Sequence, residues 1–158
     1  MKTVFVDIDT QIDFVYPAGA FFVPGAPAII RRVAALNHYA ASQGIPVIST
    51  MDAHTEDDPE FRLYPHHCVV GTCGQGKPQI TLLEKRVTVP NVRVKLSLGD
   101  AQQILFEKQS TDCFTNVNIH PLLDSLKASR YIVYGVVTEI CVRKALEGLL
   151  QTGKPARN

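Results

Sequence analysis

Three reactive side chains are spread along this sequence, Asp9, Lys108 and Cys141, and together they form a set suited to nucleophilic hydrolysis. A cysteine thiol can attack a carbonyl carbon, a nearby carboxylate can take its proton, and an ammonium group can steady the negative charge that develops. A second set follows the short run Asp52-Ala53-His54. Alternate residues on an extended chain point the same way, so this carboxylate and imidazole can share one ion, with His67 as a third ligand. Two histidines and a carboxylate with positions left open suit a divalent metal, zinc first, with iron or manganese as alternatives. Taken singly, each residue also has an ordinary explanation. Cysteine is among the most buried residue types, an aspartate can cap a turn, and a lysine can be a solvated charge. Spacing alone leaves the two readings open.

The elements that must position these groups alternate between strand and helix. Lys2 to Asp7 is a β-branched and aromatic run, and Pro46 to Met51 is a second. Between them Ile29, Ile30, Val33, Ala34 and Leu36 recur at helical spacing after the Pro24–Pro27 breaker cluster, with Gly44 as the stop. A strand, a helix and a strand of this length predict a right-handed parallel crossover. Ile104 to Phe106 reads as a third strand running on to Lys108, Pro121 to Ala128 as a short helix begun by proline, and Tyr131 to Val137 as a fourth strand. Thr138 to Gln151 reads as the last helix, with Cys141 in its first turn, where free amides and the helix dipole favour a thiolate. Residues from about Thr55 to Leu98, including the alternating piece Lys85 to Val89, read as an elaborated loop. On this reading Asp9, Lys108 and Cys141 all lie at or just past the carboxyl ends of parallel strands, the edge where ligands bind in open α/β sheets.

Composition narrows the partners. With 158 residues and 46% hydrophobic content, one domain over 1–158 can bury its own core. Sixteen basic and 15 acidic residues give a net charge of +1, so no nucleic-acid-binding stripe is implied. A small-molecule partner is expected, with no nucleic acid and no membrane. No apolar run of membrane-spanning length and no signal-like start is seen, so a cytoplasmic location is expected. Four scattered cysteines read as free thiols.

The segments Asp9-Thr10-Gln11-Ile12-Asp13-Phe14, Lys108 with Asp112 and Phe114, and Gly135-Val136-Val137-Thr138-Glu139-Ile140-Cys141-Val142 together resemble the isochorismatase-like cysteine hydrolase superfamily. The resemblance runs from Met1 to about Gly153. It implies a three-layer α/β/α domain with a mainly parallel sheet, a catalytic triad of Asp9, Lys108 and Cys141, and a cis peptide between Val136 and Val137. It also implies an oxyanion hole from the amides of Val137 and Cys141. Asp52-x-His54 followed by Tyr64-Pro65-His66-His67-Cys68-Val69 resembles the metal segment of nicotinamidases, with tyrosine where tryptophan is usual. That implies His67 as the third ligand, a further ligand position near Glu60, and Phe14 and Tyr64 flanking a substrate ring.

The expected activity is therefore cleavage of a small amide, nicotinamide giving nicotinic acid and ammonia through a thioester. The alternatives are another amide or isochorismate hydrolase on the same scaffold, or a binding or assembly protein without activity. Members of the superfamily normally continue past the last helix with a strand, a helix and a final strand, and the sequence up to Asn158 is expected to lack these usual C-terminal strands. The fourth strand is thus expected at a sheet edge, so that either a partner chain covers it or the domain is marginal, and a homo-oligomer is expected.

Overall fold

The computed structural model describes residues 2–153 and 156–157. Strand β1 (Thr3–Ile8) is buried along its whole length, as its apolar run requires of a strand covered on both faces. Helix α1 (Ile12–Val15) is a single turn just beyond it, and a 3-10 turn at Ala26–Ile29 leads into α2 (Ile30–Ser42). Gly44 closes α2 in the left-handed conformation at φ 64°. The Ile45 amide donates to the Ala40 carbonyl and the Gly44 amide to that of Ala41, a Schellman stop that only glycine adopts without steric cost. Strands β2 (Val47–Asp52), β3 (Arg86–Val89), β4 (Gln103–Lys108) and β5 (Arg130–Gly135) follow, with α3 (Ile119–Leu126) before β5. Helix α4 (Arg143–Gln151) and β6 (Ala156–Arg157) complete the described elements.

All the pairings are parallel, in the order β3-β4-β2-β1-β5-β6. Alternation along the strands divides the core. Val4, Val6 and Ile8 join Ile104, Phe106, Leu122, Val142 and Leu149 under α3 and α4, while Phe5, Ala40, Val47 and Leu83 pack with Leu36 of α2 on the opposite face. The result is the parallel sheet that the strand and helix pattern implied, in the three-layer α/β/α architecture that the resemblance implied. No helix among the described residues is long and apolar enough to cross a membrane.

Four sequence expectations are corrected. Lys85 to Val89 is not loop: Arg86–Val89 forms the outer strand β3, and its exposed alternate residues explain why its hydrophobic signal is weak. The fourth strand is not the edge, because Tyr131 and Ile132 of β5 pair with Ala156 and Arg157 of β6. Helix α3 starts at Ile119, two residues before Pro121, since proline is tolerated throughout a first turn whose amides need no helical acceptor. Thr138–Val142 is a π-helical turn ahead of α4, so Cys141 does not stand in the first turn of an α-helix.

The end of β5 is the tightest point of the sheet. Gly135 has φ +127°, and a Cβ there would lie 2.1 Å from the Ile8 carbonyl oxygen. Gly135→Ala is expected to lower stability by about 3 kcal/mol or more, combining overpacking against backbone with a strained φ. Gly99→Ala meets no atom within 4 Å at φ +53° and should cost only about 1–2 kcal/mol. Urea unfolding midpoints of the two variants check this.

Candidate active site and metal centre

The parallel register assembles the site along one edge of the sheet. Asp52 and Lys108 are the last residues of β2 and β4 and are register partners, while Asp9 follows β1, which lies between β2 and β5. Asp9 adopts the left-handed conformation at φ 48°, uncommon for a non-glycine residue and several-fold enriched in aspartate. Its amide donates to the Thr50 carbonyl, and its Oδ1 accepts from the Thr50 hydroxyl at 2.6 Å.

Lys108, 1% exposed, stands between two carboxylates. Its Nζ is 2.9 Å from Asp9 Oδ2 and hydrogen-bonds Asp52 Oδ1. The sequence places Lys108 in the hydrolytic set; the structure makes it the link between that set and the metal set. Burial would push the lysine down, but Asp52 and then Asp9 outweigh it and hold it well above the usual value. Burial raises Asp9 against the opposing pull of Lys108, with Asp52 adding to the rise, so Asp9 is a carboxylate ready to hold a proton. Burial also acts to raise Asp52, yet the Lys108 ammonium, with the imidazoles of His54 and His67 close by, keeps it far below its usual range.

Asp9, Cys141, Val136, Val137 and Ile140 line one cavity with Asp52, Glu60, His67 and Thr111, under an aromatic wall of Phe14, Phe21 and Tyr64. The Val136–Val137 peptide is cis. The resting state of Cys141 departs from the sequence expectation. Burial, with Asp9 adding to it, pushes the thiol above its ordinary value while Lys108 pulls the other way. The short π-helical turn does not overcome this, and the surroundings favour the thiol over the thiolate.

Beside this set, ligand atoms of Asp52, His54 and His67 all lie within 4.8 Å of one another. His67 Nε2 is 3.6 Å and His54 Nε2 3.9 Å from Asp52 Oδ2. The other ring nitrogens are engaged: His67 Nδ1 is 2.6 Å from the Pro65 carbonyl oxygen and His54 Nδ1 2.9 Å from Asp58 Oδ2. A carbonyl oxygen only accepts, so His67 Nδ1 carries the hydrogen and Nε2 keeps its lone pair. His54 Nε2 is buried with no hydrogen-bond partner. An orphaned imidazole nitrogen aimed at a carboxylate, with Nδ1 held by a second carboxylate, fits a divalent cation and the donor set of zinc. The loop carrying His67 is brought back by the bridge between His54 and Val69 and by the Cys68 amide donating to Asp13 Oδ2 at 2.7 Å.

Two contributors, Asp58 and Phe21, escaped the sequence reading. Asp58 Oδ1 accepts from the Glu60 amide, starting a 3-10 turn, while Oδ2 holds His54. An aspartate before proline, four residues after a candidate ligand, was the available signal. Gln11 accepts from the Asp52 amide at 2.6 Å and donates to its carbonyl at 2.8 Å, fixing the strand end that carries Asp52. Phe21, third in the aromatic wall, gave no signal, because its position depends on a turn closing back over α1. Glu60 lines the cavity but lies outside the close ligand set. All four cysteines are free, as their scattered spacing implied, with Cys68 fully buried and Cys73 exposed.

Asp58→Ala is expected to weaken metal affinity about 10- to 100-fold, since the residue that fixes a ligand's tautomer is lost while every ligand remains. Titration with Zn²⁺ against a competing chelator measures it, and an unchanged affinity would remove Asp58 from the metal centre.

The curated relatives and solved structures agree with this architecture. The chain is 29% identical over 150 residues to the uncharacterized isochorismatase family protein PncA of Bacillus subtilis, covering 90% of this chain and 75% of that one. It is 21% identical over 145 residues to a probable inactive nicotinamidase of Arabidopsis thaliana, covering 92% and 71%. In structure it resembles the nicotinamidase PncA from Bacillus subtilis, with TM-score 0.82, 24% identity, and 99% and 82% coverage. It also resembles the pyrazinamidase of Pyrococcus horikoshii solved in complex with zinc, with TM-score 0.80, 24% identity, and 98% and 81% coverage. At these identities the structural likenesses establish the fold. The Isochorismatase domain model matches residues 3–155, nearly the whole length over which the sheet and its reactive edge are built, and the chain belongs to the isochorismatase family.

Proposed function

We propose that this protein hydrolyses a small aromatic amide, nicotinamide in the first instance, with Asp9, Lys108 and Cys141 as its triad. The observation that carries the reading is the shared cavity: a thiol and a proton-holding carboxylate open into the same aromatic-walled space as Asp52 and His67. Cys141 gives its proton to Asp9 and its sulfur attacks the carboxamide carbon, while the amides of Val137 and Cys141 receive the oxyanion. Asp9 then returns the proton to the departing nitrogen, ammonia leaves, and water cleaves the thioester to release the carboxylic acid and restore the thiol. Lys108 keeps Asp9 oriented and offsets the negative charge of the two carboxylates. Asp52, His54 and His67 would hold the divalent ion, zinc by its donor set, which when bound offers a Lewis-acidic position to a ring nitrogen. Phe14 and Tyr64 would lie against the faces of the ring.

The test is ammonia release from nicotinamide beside benzamide, which has the same carboxamide and no ring nitrogen. Nicotinamide should be the better substrate by about a hundredfold or more in kcat/KM, as expected when a built polar contact is left unmade. Equal rates would leave an amide hydrolase with no role for the ring nitrogen, and no ammonia from either would sink the nicotinamide reading.

A further inference from the structure

Phe21 takes no part in the chemistry derived above, yet among the described residues it meets more rings than either of its wall partners Phe14 and Tyr64. Its ring centroid lies 5.9 Å from Phe14, 5.7 Å from Tyr64 and 5.0 Å from His67. All four side chains border the same cavity. The backbone beneath it is pinned. The Phe21 amide donates to the Asp13 carbonyl at 3.1 Å and the Val23 amide to that of Phe14 at 2.9 Å, so the segment doubles back along α1. The Ala20 amide donates to Asp13 Oδ1 at 2.9 Å. Gly19 approaches so closely that a Cβ there would lie 2.3 Å from the Asp13 carbonyl oxygen. The other oxygen of Asp13 receives the Cys68 amide, next to His67. One buried carboxylate thus ties the turn bearing Phe21 to the turn bearing a metal-ligand candidate.

A ring held by three ring neighbours and by a doubly anchored turn cannot swing aside without losing several edge and face contacts at once. We propose that Phe21 is the specificity-determining wall of the site, limiting the amide to a single flat ring and excluding substrates with a second fused ring. This rests on the small-amide reading for the identity of the substrate, while the steric role belongs to the cavity itself.

The experiment compares unmutated protein with Phe21→Ala and Phe21→Leu on two substrates, nicotinamide and quinoline-3-carboxamide, which keeps the carboxamide and ring nitrogen and adds a fused ring. The unmutated protein should prefer nicotinamide by about a hundredfold, and Phe21→Ala should shrink that preference at least about tenfold by raising kcat/KM for the larger amide, with Phe21→Leu between. In parallel, alkylation of Cys141 by iodoacetamide and by a naphthyl-bearing iodoacetamide is followed by peptide mass spectrometry at matched pH. Phe21→Ala should accelerate the bulky reagent selectively. A folded Phe21→Ala protein with an unchanged ratio of the two alkylation rates overturns the proposal. Should Phe21→Ala fail to fold, the ratio for Phe21→Leu, which keeps an apolar side chain, decides in the same way. Absence of turnover on nicotinamide by the unmutated protein would refute the substrate reading, and the alkylation ratio would still decide the role of Phe21.

Discussion

Cys141→Ala should reduce ammonia release by about a thousandfold or more while the protein keeps its fold and its metal. The substitution removes the only thiol among the described residues that lines the cavity beside Asp9 and none of the three candidate ligands. It leaves the charged set untouched, because Lys108 keeps both carboxylate contacts. Circular dichroism and metal content should match those of the unmutated protein. A variant retaining more than about a tenth of the rate would exclude attack by Cys141. Asp9→Asn should be nearly as damaging, since it leaves nowhere for the thiol proton to go. Because the two groups act on one proton, the double variant should be little worse than either single one. Lys108→Ala differs in kind. It leaves two buried carboxylates without their cation, so it should cost stability as well as rate, about 3–5 kcal/mol as for other buried pairs broken on one side. Thermal unfolding separates that loss from the kinetic one.

His54→Ala should abolish stoichiometric metal binding and remove most nicotinamide hydrolysis, yet leave the alkylation rate at Cys141 close to that of the unmutated protein. The imidazole is fully buried, and its Nε2 is, among the described residues, the one ligand nitrogen that is buried and unpartnered. Removing it leaves only Asp52 and His67 in the set, too few for a tight divalent site. Cys141 shares its cavity with Asp52 and His67 but not with His54, and its reactivity is governed first by burial, Asp9 and Lys108, with Asp52 a smaller influence. Zinc content after dialysis, ammonia release and iodoacetamide labelling give three independent readings. Full activity in the metal-free variant would detach the metal centre from the hydrolysis.

The chemistry-bearing residue types and their placement at strand ends were legible in the sequence, because a parallel sheet buries apolar runs and releases its functional groups at one edge. Asp9 follows β1, Asp52 and Lys108 end β2 and β4, and Cys141 follows β5, each close to where apolar periodicity breaks. Strand β3 was not legible, since half of its short run faces outward and resembles the loop before it. Strand β6 was not legible either, at two residues without a hydrophobic pattern.

What only the tertiary structure decided is how the two sets are joined. That Lys108 spans Asp9 and Asp52 follows from the sheet order β4-β2-β1, which places residues 9, 52 and 108 side by side. That the surroundings of Cys141 favour the thiol follows from burial beside Asp9, a desolvation effect no local motif records. Asp58, Gln11 and Phe21 act through contacts made once the loops close: Asp58 on His54, Gln11 on the backbone of Asp52, and Phe21 on a wall assembled from three separate segments. Sequence periodicity reports which residues share a strand or a helix face, so it determined the edge on which the chemistry stands. Distances between side chains from different elements depend on register and loop closure, and these set the bridge, the tautomers and the shape of the cavity.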